Sequence, residues 1–323
     1  MKYVKRIIAS ILFLLLFWGV FSVASDLLMH KQIEGRWNMT AKVKGFYTLE
    51  PGELDVVFLG SSHMYCSVDP AVFAEETGLN SYVFATQQQP LWVTYHYMVE
   101  ALATQQPELM VVEIHMAYLE EAFMDEGTNH SAIDPIPLSV NKVEMIRASV
   151  PEGEQRYYIF HLMKYHDRWE ELKKEDYQRL YETETDPDRG FVRLTSAAID
   201  VVYTDVSAVT DAAITNEKNV EYLNKMIDLA EKHGIRLVFF KAPSNATAEE
   251  KLLYNGVAAL AEARGVAFID YNDALLYKEV GLSLEQDFYD QRHLNEDGMK
   301  KFVAHFGSYL KGLTATDLAA YTH

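Results

Sequence analysis

A chain of 323 residues, 49% hydrophobic and 24% charged, has the composition of a globular protein of about two domains' length, not of a disordered, collagenous or coiled-coil one. Its 29 Lys and Arg against 47 Asp and Glu leave a net charge of −18, which repels phosphate backbones and argues against nucleic acid as a partner. The single cysteine, Cys66, excludes an intrachain disulfide and any Cys-rich metal cluster, and a lone thiol of this kind is expected to be buried.

Lys2, Lys5 and Arg6 precede 19 uncharged residues from Ile7 to Ser25. At the α-helical rise these span about 28 Å, close to the hydrocarbon thickness of a bilayer and longer than the roughly 7–15 residues of an ordinary signal-peptide core. Basic residues before the run and acidic, polar sequence after it place the amino terminus inside and the body outside. Residues 1–30 therefore read as a cytoplasmic basic tip and a transmembrane signal anchor, giving a single-pass protein of the cell membrane with its body on the extracytoplasmic side. Cleavage near Ser22, Val23 and Ala24 is the alternative.

Residues 31–53, marked by Gly45 and the Pro51-Gly52 pair, read as a stalk that then lies against the body. Leu54 to Leu59 is a short apolar run rich in β-branched residues, the pattern of a strand buried on both faces. Asp69 and Pro70 open a helix to about Thr77. A second strand follows near Ser81 to Phe84, a helix runs from Pro90 to about Gln105, and Leu109 to Ile114 is a third strand. Such strand–helix alternation predicts a parallel sheet.

Residues 116–215 break the rhythm with Pro135, Pro137 and Pro151, an amphipathic piece from Tyr157 to Leu172 and an acidic stretch at 182–188. They read as an inserted, mostly helical cap region packed above the sheet. The rhythm resumes with a helix from Asn216 to His233 closed by Gly234, then a strand from Ile235 to Phe240. A helix from Thr247 to Arg264 ends at Gly265, Val266 to Asp270 is the fifth strand, and a last helix runs from near Asn295 to about Leu310. The expected fold is α/β: a three-layer α/β/α sandwich on a parallel, flavodoxin-like five-stranded sheet, built from residues 54–115 and 216–323. The pattern leaves the strand order open.

The first strand runs directly into Gly60-Ser61-Ser62-His63. A residue on the turn at the carboxyl end of a parallel strand projects into the crevice where open α/β sheets place their sites. Ser62 would stand there beside backbone N–H groups able to hold an oxyanion, but a serine nucleophile needs a base. Asp290 and His293, three apart in a segment just before the last helix, supply a candidate pair: the carboxylate accepts the far N–H of the imidazole and fixes its tautomer. Asn295 suits the cap of that helix. Taken separately, each segment also fits an ordinary surface turn.

Together, GSSH after the first strand, TQQQP after the second and DxxHLN before the last helix resemble the SGNH/GDSL hydrolase superfamily. Within it the chain resembles membrane-anchored cell-envelope members related to the D-alanyl-lipoteichoic acid biosynthesis protein. The resemblance covers roughly 54–120 and 234–310, and YHDRWEEL at 165–172 also looks like a segment of that group. It implies Ser62 as nucleophile, His293 as general base and Asp290 as the acid that orients it. The glycine usual in the second block is absent; Ala85 takes its place as a backbone donor, and Gln87 or Gln88 lines the pocket. The asparagine usual after the third strand is replaced in position by His115, a candidate hydrogen-bond donor.

His63 either shapes the pocket entrance or caps its turn. Glu113, inside a strand, needs a partner if buried, and either orients a site group or serves structure. Tyr165, His166 and Arg168 read as packing or solvated residues, with Arg168 also able to steer an anionic headgroup. None of the 11 histidines forms an HExxH or similar cluster, and no GxGxxG or GxxxxGK is present, so neither a metal nor a nucleotide cofactor is expected.

The resemblance implies a serine esterase or O-acyltransferase acting on small acyl esters, acetyl or D-alanyl, of envelope polysaccharide or teichoic acid. It also implies a multispanning membrane O-acyltransferase as partner. The two departures from the family pattern leave a second reading open: a non-catalytic envelope glycan-binding or scaffold protein beside such a transferase.

Overall fold

The computed structural model describes residues 2–29, 36–180, 185–197 and 204–320. Met1, residues 30–35 of the expected tip and stalk, residues 181–184 (which include the start of the acidic stretch) and residues 198–203 of the insertion lie outside the described residues.

The chain opens with α1 (Lys2–Leu28), which buries none of its side chains. It is long and apolar enough to cross a membrane, as an anchor or a signal sequence would be. α2 (Met39–Phe46) follows, capped by the Asn38 side chain, which accepts from the Ala41 amide. Met39, Val43 and Phe46 are buried, so this part of the stretch 31–53 contributes to the core.

Strands and helices then alternate: β1 (Val56–Gly60), α3 (Ser62–Tyr65), α4 (Pro70–Thr77), β2 (Ser81–Ala85), α5 (Leu91–Thr104) and β3 (Leu109–Glu113). The insertion carries α6 (Glu126–Ile133), α7 (Val140–Ser149), α8 (Gln155–Ile159), α9 (His161–Tyr165), a 3₁₀ turn (His166–Glu170) and α10 (Lys174–Gln178). After it come α11 (Glu217–His233), β4 (Arg236–Lys241), α12 (Ala248–Ala263), β5 (Ala267–Asp270), α13 (Ala274–Val280) and α14 (Glu296–Ala320).

The five strands pair in parallel in the order β2-β1-β3-β4-β5. Successive side chains on a strand point to opposite faces, and the core divides accordingly. Val57, Leu59, Met110 and Val112 face α5, α11 and α12, whereas Val56, Phe58, Val111 and Val238 face α4 and α14. The sheet is thus the middle layer of an α/β/α sandwich. Because β1 lies between β2 and β3, the chain leaves it in one direction and later returns on its other side. The crevice at the carboxyl ends of β1 and β3 is where such a sheet places a site.

Local sequence signals start these helices: Asp69, Asn216 and Thr247 accept from amides in the first turns of α4, α11 and α12. The expected single amphipathic piece over 157–172 is broken instead at Phe160, whose backbone (φ −119°, ψ 80°) separates α8 from α9. β4 runs on to Lys241, past the apolar run, and α14 extends to Ala320. α13, capped by Asp273, has no counterpart among the expected elements.

The end of the insertion threads back into the sandwich. Arg189 O accepts from Val83 N of β2 at 2.9 Å, Val192 N donates to Tyr65 O at 2.8 Å, and Leu194 O accepts from Glu296 N at 2.7 Å. Phe191, Val192 and Leu194 are buried with the β1 and α14 side chains. Gly190 makes this approach possible: at φ +93°, a Cβ there would stand 1.8 Å from Val83 O. Gly190→Ala is expected to destabilise the protein by roughly 1–3 kcal/mol, read by chemical denaturation. An unchanged midpoint would mean that this segment does not lie against β2.

Candidate active site

β1 delivers its chain to the crevice through Gly60, whose φ of +145° suits glycine. A Cβ there would meet Glu113 Cβ at 2.9 Å, so the ends of β1 and β3 come this close only without a side chain. Ser61 caps the short α3, its Oγ accepting from His63 N at 3.4 Å, and Ser62 is the first residue of that turn. Ser62 is partly exposed.

The facing loop between α13 and α14 is stiffened by its own acids. Asp290 Oδ1 accepts from the backbone N–H of Arg292 at 2.7 Å and of His293 at 2.8 Å. Phe288 and Leu294, both fully buried, pair across the loop, and Tyr289 N donates to His293 O at 2.9 Å. Asn295 caps α14 by accepting from Asp297 N and Gly298 N. Outside contacts hold the loop over the crevice. Arg292 Nη1 donates to both Glu250 oxygens at 2.8 and 2.7 Å, and Asn245 N donates to Gln291 O at 2.8 Å.

This loop sets His293 Nε2 at 2.9 Å from Ser62 Oγ, joining residues 231 positions apart. Its Nδ1 lies 2.9 and 3.0 Å from the two Asp290 oxygens. Partial burial would raise the Asp290 carboxyl, but the hydrogen bond and charge of His293, with the two backbone donors, outweigh it and hold the group below its ordinary range. An ionised Asp290 accepts Nδ1–H, which leaves the Nε2 lone pair facing the serine hydroxyl. The arrangement can move a proton from Ser62 to His293 and return one.

Behind this row lies a buried ionic group. Glu113 and Lys241, at the carboxyl ends of β3 and β4, form an ion pair at 3.1 Å with both side chains wholly buried. Glu113 also accepts from His115 N at 3.0 Å and Ala242 N at 3.3 Å, and Lys241 donates to Ala242 O at 2.9 Å. Burial pushes the Glu113 carboxyl above its ordinary range against the pull of Lys241. Lys241 Nζ lies 3.0 Å from His63 Nδ1. Burial, then the neighbouring His115 and Lys241, drive the His63 pKa well down, so its ring is neutral. An ammonium only donates, so Nδ1 of His63 accepts and its proton sits on Nε2.

The His63 ring stacks on His115 at 3.7 Å between centroids, and its centroid is 5.2 Å from that of His293. His115, also held neutral by burial, shares a 2.9 Å hydrogen bond from Nδ1 to Tyr254 Oη. Ser62, His293, Asp290, His63, His115 and Glu113 therefore form one contiguous group. Ala85, buried, ends β2 directly opposite Gly60. Gln87 and Gln88 are exposed, Gln88 at φ +47°, and among the described residues no hydrogen bond ties either to this group.

Lys241 and Tyr254 were not among the residues singled out from the sequence. A usable signal existed for Lys241: two buried strands, LMVVE and RLVFFK, each end in a charge of opposite sign. Tyr254 carries no such signal in its helix. Among the described residues no group of three or more His, Cys, Asp or Glu is arranged to hold a metal ion. Cys66 is buried.

No protein-family model matches the chain, and no curated protein does. Among solved structures it is similar to a protein assigned to the lipolytic G-D-S-L family from Desulfitobacterium hafniense DCB-2, at 11% identity and a TM-score of 0.39 over 78% of this chain and 97% of that one. It is also similar to a protein assigned as an acylhydrolase from Bacteroides fragilis NCTC 9343, at 12% identity and a TM-score of 0.40 over 86% of this chain and 99% of that one.

Removing one partner of a buried ion pair strands the other charge. Lys241→Met is expected to cost about 3–5 kcal/mol in chemical denaturation, with much of the loss restored by adding Glu113→Gln. Equal losses in the single and double variants would show that the two charges are not coupled.

Proposed function

We propose that this protein is an extracytoplasmic serine esterase or O-acyltransferase, anchored by α1, that acts on small acyl esters, acetyl or D-alanyl, of envelope polysaccharide or teichoic acid. The observation that carries the proposal is the 2.9 Å contact between Ser62 Oγ and His293 Nε2, with Asp290 on the other ring nitrogen. A close, aligned pair of this kind favours an enzyme over a glycan-binding scaffold.

In the first half-reaction His293 Nε2 takes the Ser62 proton as Oγ bonds to the ester carbonyl carbon. The negative charge passes to the carbonyl oxygen, held by the backbone N–H groups of Ser62 and Ala85. His115, with Tyr254 donating to its Nδ1, presents Nε2–H as a further donor. The tetrahedral species collapses as His293 returns the proton to the departing alcohol, leaving an acyl-Ser62 ester. Asp290 stabilises the imidazolium between these transfers without taking its proton. In the second half-reaction His293 deprotonates either water or an acceptor hydroxyl, and attack on the acyl group frees Ser62. Hydrolysis and transfer share the intermediate and differ in which hydroxyl reaches it.

The basic residues before the apolar run support an outward-facing body, and a single span suits work beside a multispanning membrane O-acyltransferase that delivers the acyl group. The net charge of −18 disfavours electrostatic capture of an anionic polymer and favours small or neutral acceptors.

Labelling with a serine-directed fluorophosphonate tests the assignment. Wild type is expected to label, Ser62→Ala not at all, and His293→Ala much more slowly. Equal labelling of all three would remove Ser62 and His293 from the chemistry and favour the scaffold reading. Turnover of a small acyl ester by Asp290→Asn is expected to fall by about 10³–10⁴, with the fold intact by circular dichroism. Wild-type turnover in that variant would show that Asp290 does not orient the base.

A further inference from the structure

The proposed chemistry makes no use of the seam between α1 and the inserted helices. There Phe160, at the break between α8 and α9, sets its ring edge-on against Phe21 with centroids 6.2 Å apart. Arg168 donates to Leu28 O and Met29 O at 2.9 and 2.8 Å and to Asp176 at 3.2 Å, tying the last turn of α1 to the 3₁₀ turn. Arg168 is thus committed to the helix end. A cleft of about 620 Å³ lies beside these contacts, lined by Trp18, Phe21, Leu138 and Ile159 and by Asp26, Lys44 and Lys142 as well.

Depth follows from helix geometry. Asp26 is the first charge after the apolar run. At about 1.5 Å per residue, Phe21 lies roughly 7 Å and Trp18 roughly 12 Å deeper along α1 than Asp26. Side chains that pack at the level of Phe21 and Trp18 are therefore below the headgroups once α1 spans the bilayer. The residues at this edge suit that position: Leu138, Phe160, Met163 and Trp169 are 57, 40, 47 and 65% exposed. Apolar surface left in water is unfavourable by about 25 cal/mol per Å², and a tryptophan at the level of the helix end matches the interfacial belt.

We propose that this edge of the insertion, carried by Leu138, Phe160 and Met163, seats in the outer leaflet beside α1, with Trp169 at the headgroup level. The occupant of the surface is lipid. The inference rests on the reading of α1 as an uncleaved anchor and adds a second membrane contact to it. A single helix lets the body pivot, whereas two contacts fix its tilt as well as its height. The contact is apolar, so it forms on zwitterionic lipid despite the acidic body.

The full chain carrying one nitroxide label is reconstituted in phosphatidylcholine nanodiscs, and collisions with oxygen, which partitions into lipid, are compared with those of a nickel chelate, which stays in water. Labels go to Leu138→Cys and Met163→Cys at the proposed seat. Gly19→Cys is the bilayer reference, since a Cβ there meets nothing within 4 Å. Ile214→Cys and Leu275→Cys, at sites 87 and 72% exposed, are the water references, and the native Cys66 is buried. The labels at 138 and 163 are expected to lose nickel collisions and approach the values at 19. Nickel access at 138 and 163 equal to that at 214 and 275, with 19 protected, would overturn the seating and leave the anchor standing. Nickel access at 19 as well would overturn the anchor reading and the seating with it.

Discussion

Beneath the partly exposed serine, Glu113 and Lys241 face each other with both side chains wholly buried. Two charges stripped of solvent cost several kcal/mol each unless geometry and further hydrogen bonds return it. Here every polar partner is drawn from the same few residues: the amides of His115 and Ala242, the carbonyl of Ala242 and the ring of His63. The pair therefore constrains more than itself. It holds the ends of β3 and β4 in step, keeps the loops after them close, and decides which nitrogen of His63 bears its proton.

The row of Ser62, His293 and Asp290 in front of it is built differently. His293 and Asp290 sit on a loop, but one with little freedom, because Asp290 turns back on two amides of that loop while Arg292 grips Glu250 on α12. A loop braced on both sides can place an imidazole within hydrogen-bond reach of a serine as a strand end would. The same carboxylate that stiffens the turn selects the tautomer of His293, so the shape of the loop and the orientation of the ring are set by one side chain. Gly60 completes the geometry from below by letting β1 end against Glu113.

The insertion links this centre to α1. Its far end packs on α1 through Phe160 and Arg168, and its near end runs under Tyr65, the last residue of the turn that Ser62 begins, before meeting the start of α14.

Much of this was legible in local pattern. Apolar runs of strand length, Asp69, Asn216 and Thr247 at helix starts, and the glycines at helix exits are properties of short segments, and they located the strands and most helices of the sandwich to within a residue or two. Ser62, His293 and Asp290 were candidates from local signals, a turn after a strand and an Asp three residues before a His. Each alone also fits a surface turn, and their joint reading came from the family resemblance. What chain-order reading left open was everything that depends on residues far apart: the strand order, the Lys241 pairing with Glu113 and His63, the Tyr254 bond to His115, and the return of residues 189–194 into the core. The break at Phe160 and the helices α2 and α13 escaped for the same reason, since tertiary contacts outweigh weak local preference in short elements. A sequence specifies its own periodicities and caps directly. Which buried charge meets which is settled only when packing removes the water between them.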